Sequence, residues 1–169
     1  MAETAAHLVD HVLPEVPVRQ WVLSLPFELR YRLAYDRELS SAALGVFLRA
    51  VFAGLRRRAG IRACKRERRL QCGAVSFVQR FGDALNLNLH FHSLVLDGVY
   101  RVDPRTGEVS FVPLPAPDDA EVARIAYRVA SGLRRLFVRR GLLDAELGEA
   151  DPLSHNEPLL AEIASASIQ

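Results

Sequence analysis

Residues 72–103 read CGAVSFVQRFGDALNLNLHFHSLVLDGVYRVD and contain two runs in which apolar and polar residues alternate. The runs are separated by Gly82-Asp83, a pair typical of short turns. Two alternating runs on either side of such a turn predict an antiparallel β-hairpin. We therefore expect the fold to be built around this hairpin.

The flanking segments predict one further strand on each side of the hairpin and two long helices. Residues 18–26, VRQWVLSLP, and residues 108–115, EVSFVPLP, are short apolar runs that end at prolines. Asp36 and Asp118 are candidate N-caps of helices with apolar residues at helical spacing. This order predicts an α+β fold, an antiparallel β-sheet with helices packed mainly on one face.

Composition sets only broad limits on function. The chain has 169 residues and a formal net charge of +2, so overall charge does not identify a partner. Cys64 and Cys72 form no zinc-binding pattern, and a reduced intracellular setting is expected. No secretory signal and no run of 18 apolar residues is present, so we expect a cytoplasmic protein without a membrane span.

The second run of the hairpin carries two histidines on one face. Side chains alternate along a strand, so Leu89 and Phe91 point to one face while His90 and His92 point to the other, about 7 Å apart at Cα. Two imidazoles in this arrangement can share one metal ion. The alternative interpretation is an ordinary half-exposed polar face without a ligand.

The sequence resembles the HUH endonucleases, and more closely the rolling-circle insertion-sequence transposases of that superfamily. The resemblance rests on QRFGDALNLNLHFHSLVLDG, which is similar to their metal-binding strand, and on VRQWVLSLPFELRYRLAYD, which is similar to the preceding segment. It extends from about residue 2 to residue 141. The His-x-His core alone is weakly specific, whereas the string over residues 77–98 is highly specific.

The resemblance implies a bacterial enzyme of DNA transposition that nicks single-stranded DNA at transposon ends and transfers the strand. It implies that His90 and His92 hold Mg²⁺ or Mn²⁺, and that a tyrosine hydroxyl forms a covalent phosphotyrosine link. Gln79 on the partner strand and Asp83 in the turn are the candidates for the third ligand.

The nucleophilic tyrosine is not assigned from the sequence. In the transposases that this chain resembles it lies downstream of the histidine motif, whereas Tyr31 and Tyr35 lie upstream and Tyr127 is expected to pack in or beside the core. We expect the nucleophile to lie beyond Gln169. Residues 1–143 would then be a partial HUH transposase domain, and residues 144–169 a polar tail leading to a missing region. An isolated chain of this kind would cleave DNA poorly or not at all.

Basic residues suggest where DNA would bind. The arginine side chain suits two-pronged contacts to phosphate, and Lys65 is the one lysine among 22 basic residues. A second group of arginines lies near residues 134–140. Phe81 is a candidate for base stacking, whereas Trp21 is expected to be buried. The predicted DNA-binding set comprises Arg56, Arg57, Arg58, Arg62, Lys65, Arg66, Arg68, Arg69 and Arg80.

Two other functions stay open at this stage. The same fold without a nucleophile would be a non-catalytic DNA-binding module. A metal-dependent hydrolase would instead need more ligands converging on the two strand histidines, and the other histidines are His7, His11 and His155.

Overall fold

The computed structural model describes residues 2–60, 70–81 and 87–143. Its helices and strands follow the chain in this order: α1 (Ala2–His7), a π-helical segment (Leu8–Val12), β1 (Val18–Ser24), α2 (Phe27–Tyr35), α3 (Arg37–Arg58), β2 (Leu70–Gln71), β3 (Ala74–Phe81), β4 (Leu87–Leu96), β5 (Gly98–Val102), β6 (Val109–Pro113) and α4 (Asp119–Arg139).

The strands form two antiparallel three-stranded sheets rather than one. The first sheet has the order β1-β4-β3, and the second has the order β2-β5-β6. The predicted hairpin is present as β3 and β4, with β1 paired along the other side of β4. The α+β class is confirmed, and the helices pack on the sheets as expected.

The run that the sequence suggested as one long strand is divided at Asp97. The backbone N–H of Asp97 donates to the carbonyl of Pro17, and its carbonyl accepts from the N–H of Leu114. Its carboxylate forms an ion pair with Arg19 at 2.7 Å. These contacts direct the chain out of the first sheet and into the second at Gly98.

Gly98 fits this junction because it has no side chain. A Cβ atom there would lie 2.5 Å from the backbone oxygen of Val112 and 2.4 Å from Cζ of Phe111. Because residue 98 is glycine, β4 can lead directly into β5 and the two sheets are joined without a linker.

Both long helices begin where their caps predict. The Asp36 carboxylate accepts from the N–H of Leu39 at 2.9 Å, and the Asp118 carboxylate accepts from the N–H of Glu121 at 2.7 Å. Gly141, with φ of 66°, follows α4 in the left-handed conformation that glycine favours. The two N-caps predicted from the sequence are therefore confirmed.

The core lies between the helices and one face of the first sheet. Leu89 and Phe91 of β4 are fully buried and belong to the same apolar cluster as Phe47 of α3 and Leu133 and Phe137 of α4. By length and composition α3 could also cross a membrane, but core helices meet the same criterion. Its buried stripe faces this core.

Candidate metal and DNA site

The two strand histidines occupy the face of the first sheet that points away from the core. Leu89 and Phe91 are buried, whereas His90 and His92 are half-buried, as the alternation predicted. The imidazole ring centroids are 4.8 Å apart. Both rings can therefore approach one small ion.

The contacts of His90 determine which of its ring nitrogens carries a proton. Nδ1 lies 2.7 Å from the backbone carbonyl oxygen of Asn88. A carbonyl oxygen can only accept a hydrogen bond, so Nδ1 donates, and in the neutral imidazole Nε2 then holds the free lone pair. That lone pair is the form of imidazole that binds metals.

His92 has a polar partner at one ring nitrogen and none at the other. Its Nδ1 lies 3.1 Å from Nε2 of Gln20 on β1. Rotating that amide by 180° would place its oxygen there instead, and Nδ1 would then donate. Nε2 is buried and has no hydrogen-bond partner within the described part of the chain. A buried polar atom without a partner calls for an explanation, and a bound ion is one of them.

The electrostatic surroundings favour neutral His92. Burial lowers the pKa of its imidazole below the usual value, and the positive charge that His90 can carry lowers it further. A neutral imidazole is required of a metal ligand, so the environment suits that role.

The third ligand is less well defined. Gln79 of β3 lies directly opposite His90 in the strand register, so both side chains are on the same face. Nε2 of Gln79 donates to the carbonyl of Phe81 at 3.1 Å, which leaves its own oxygen available. Asp83 lies outside the described residues. Across the described ranges, no three His, Cys, Asp or Glu side chains are grouped as a metal site.

The donor set fits a divalent cation with partial protein ligation. Two imidazole nitrogens and one amide oxygen leave room for ligands from water or from a substrate phosphate. Imidazole is a softer donor than carboxylate, so the set suits Mn²⁺ better than Mg²⁺. Gln79 as a ligand stays a prediction.

An exposed aromatic side chain lies beside the histidines: Phe77 of β3 is opposite His92 in the register and is 41% exposed. Phe81 is 52% exposed, but it pairs with Leu87 and therefore lies on the other face of the strand from the histidines. Val22 and Ser24 of β1 flank the histidines from the other side. Trp21 is buried, as expected, and is not available for stacking.

The arginines at the end of α3 have contacts within the protein. Arg57 forms an ion pair with Glu121 of α4, and Arg56 donates to the backbone carbonyl of Leu70. Nη2 of Arg58 is buried and has no hydrogen-bond partner among the described residues. Arg80 is exposed on β3. The role of these arginines in DNA binding stays a prediction. The rest of the predicted DNA-binding set lies outside the described residues: Arg62, Lys65, Arg66, Arg68 and Arg69.

The four tyrosines are all described, and none of them forms a hydrogen bond or a ring contact with the histidine pair. Tyr31 and Tyr35 contact each other on α2, with ring planes tilted by 45°, and both are largely exposed. Tyr100 of β5 packs edge-on against Phe111. Tyr127 lies on α4 and is 42% exposed. No hydrogen bond or ring contact joins these tyrosines to His90 or His92 within the described structure.

A family model described as "Putative transposase" matches residues 73–157, which is 85 of the 169 residues. The chain belongs to this transposase family. The match begins just before β3 and includes the histidine strand β4, the paired strands β5 and β6, and α4. No curated protein and no solved structure matches this transposase-family chain. A role in DNA transposition follows from the family.

The sequence alone did not identify Gln20 as part of the site. Gln20 is 72 residues from His92 along the chain, and no local pattern marks it. Its position on β1 opposite Leu94, two pairs from His92 and on the same face, depends on a strand pairing that only the structure gives.

Proposed function

We propose that this chain is the metal-binding part of a transposase that nicks single-stranded DNA. The observation that carries the proposal is the pair formed by His90 and His92, with one lone pair fixed on His90 and a buried, unpartnered nitrogen on His92. The transposase family supplies the context in which DNA is the substrate.

His90 and His92 would hold the ion, with Gln79 as the candidate third ligand. A bound Mn²⁺ or Mg²⁺ would polarise the scissile phosphate and offset the charge that develops there. Asn88 and Gln20 would orient the two rings, and Phe77 would offer a face on which a neighbouring base can stack.

The chemistry proposed for the whole reaction is attack by a tyrosine hydroxyl on phosphorus. The tyrosine oxygen forms a bond to the 5′-phosphate, and the DNA strand leaves with a free 3′-hydroxyl. The phosphate ester link is conserved, so the strand can be rejoined elsewhere. None of the four tyrosines is assigned as the nucleophile, because none forms a hydrogen bond or a ring contact with the histidine pair within the described structure.

Metal binding is tested first. We expect His90→Ala and His92→Ala each to weaken Mn²⁺ binding by about tenfold or more, measured from the free Mn²⁺ signal in electron paramagnetic resonance. His7→Ala and His11→Ala are matched controls, because these two histidines are exposed on the first helical segments. Wild-type Mn²⁺ affinity in both strand variants would show that the proposed metal site is wrong.

The second candidate function is a non-catalytic DNA-binding module. The absence of any tyrosine in hydrogen-bond or ring contact with His90 and His92, within the described structure, favours it. Incubation with labelled single-stranded DNA and Mn²⁺ separates the two functions. A covalent DNA–protein adduct that is lost in His90→Ala supports nicking, whereas DNA binding without an adduct in the Mn²⁺-loaded protein favours the module.

A further inference from the structure

A groove of about 520 Å³ lies between α3 and α4, on the side of these helices that faces solvent. Ala50 of α3 and Gly132 of α4 are among the small residues that line it. A Cβ atom on residue 132 would lie 2.6 Å from Cγ1 of Val46, so the two helices approach closely here. The side chains along the groove are therefore held on two rigid, closely packed elements.

The groove is lined by four arginines and by no carboxylate. Arg128, Arg135 and Arg139 lie at spacings of seven and four along α4, which places them on one face of that helix, and Arg49 comes from α3. Among the described residues, Arg49, Arg128 and Arg135 form no ion pair with an acidic side chain. Since these charges are not neutralised within the described structure, the groove is suited to an anionic ligand.

Two further side chains suit the same ligand. The Oγ atom of Ser131 is buried beside the groove and has no hydrogen-bond partner in the described structure. Tyr127, also at the groove, is 42% exposed. The hydroxyl can donate to a phosphate oxygen, and the aromatic ring can contact a sugar or base.

We propose that the α3–α4 groove binds the sugar-phosphate backbone of DNA without sequence preference. Guanidinium groups match phosphate in a two-pronged geometry. Arg128 and Arg139 are separated by about 16 Å along the helix, which is long enough to follow several consecutive phosphates. The groove lies on the opposite side of the core from the histidine face, so it contacts DNA other than the segment at the metal site.

The double variant Arg128→Ala/Arg135→Ala tests the groove. Affinity for a labelled oligonucleotide of arbitrary sequence, single-stranded or duplex, is measured by fluorescence anisotropy across a series of salt concentrations. The slope of log affinity against log salt falls by about 1 for each arginine removed, and the loss of affinity is similar for different sequences.

Arg37→Ala/Arg105→Ala is the matched control, because it removes two exposed arginines that do not line the groove. An equal loss of DNA affinity in the two double variants would overturn the proposal, since bulk charge would then explain the binding. An unchanged salt slope in the groove variant would overturn it as well. Retained DNA affinity together with lost binding of poly-glutamate would assign the groove to an acidic protein segment instead.

A photo-crosslinking residue provides a measurement that does not depend on charge. Placed at Tyr127 it crosslinks to bound DNA, whereas the same residue at exposed Val109 of β6 does not.

The test of the groove is also distinct from the test of the metal site. Arg128→Ala/Arg135→Ala should lower DNA affinity and leave Mn²⁺ binding unchanged. His90→Ala/His92→Ala should weaken Mn²⁺ binding and leave the slope of log DNA affinity against log salt unchanged.

Discussion

Gln20 determines how His92 can present its second ring nitrogen. At the scale of single residues, the proposed metal site depends most on the contact between Gln20 and His92, because the ring of His90 is already oriented by a backbone carbonyl. In the flipped orientation of the Gln20 amide, its oxygen accepts from Nδ1 of His92, which keeps the proton on that atom and leaves the lone pair on Nε2. Residues that orient metal ligands typically contribute 10–100-fold to metal affinity.

We therefore expect Gln20→Ala to weaken Mn²⁺ binding by about tenfold while the thermal unfolding midpoint stays nearly unchanged, because Gln20 is exposed. Gln20→Glu should retain or restore affinity, since a carboxylate can only accept from Nδ1. Ser24→Ala, on the same strand and opposite His90, is the control. Wild-type Mn²⁺ affinity in Gln20→Ala, measured by calorimetry, would contradict an orienting role.

The sequence predicted the site in part at this scale. Alternation along β4 placed His90 and His92 on one face, because that rule is local and depends only on strand geometry. It could not supply Gln20, since the contact depends on β1 pairing with a strand about 70 residues away. Gln79 could be placed opposite His90 from the sequence because its hairpin partner is near along the chain, and its role as a ligand stays a prediction.

Among the elements, the close packing of α3 on α4 depends on glycine. Gly132 allows Val46 to approach, and a β-branched valine has little freedom to move aside. The groove between the helices runs along this close contact. The starts of the helices were predictable from Asp36 and Asp118. The close contact at Gly132 was not, because from sequence alone a glycine within a helix indicates only a weak helix former.

We expect Gly132→Ala to lower the free energy of unfolding by about 1–3 kcal/mol, since the added methyl collides with Val46. Gly45→Ala is the matched control in the interior of α3. Its added methyl meets only the flexible end of Arg49, so it should be neutral or stabilising by up to about 1 kcal/mol. Urea denaturation measures both, and Val46→Ala should rescue Gly132→Ala. Equal effects of the two substitutions would refute steric packing as the cause.

For the whole molecule, the division into two sheets follows from contacts around Asp97. The sequence predicted the α+β class, because the order of helices and strands is sufficient for it. It did not predict two sheets, because the break at Asp97 depends on an ion pair with Arg19, 78 residues away. The Asp97-Gly98 pair is a turn signal within this run, but the run was interpreted as one continuous strand.

Glu121 joins the two long helices and makes the stability of the whole molecule depend on pH. Its buried carboxylate accepts hydrogen bonds from Arg124 on its own helix and from Arg57 at the end of α3. Burial alone would raise the pKa of this carboxyl, but the hydrogen bonds and charges of the two arginines outweigh burial and lower the pKa overall. The folded protein therefore holds the ionised form more strongly than the unfolded chain does.

The stabilisation from Glu121 should be fully present above the unfolded pKa of about 4.3, and it should be lost as the pH falls through the lower folded value. Glu121→Gln should cost about 1–2 kcal/mol at pH 7, a modest amount because both arginines are about half exposed. The difference from wild type should shrink below about pH 4.3, measured by urea denaturation at several pH values. Exposed Glu108, changed to Gln, is the control. A difference that stays constant with pH would mean that packing, rather than ionised Glu121, links the two helices.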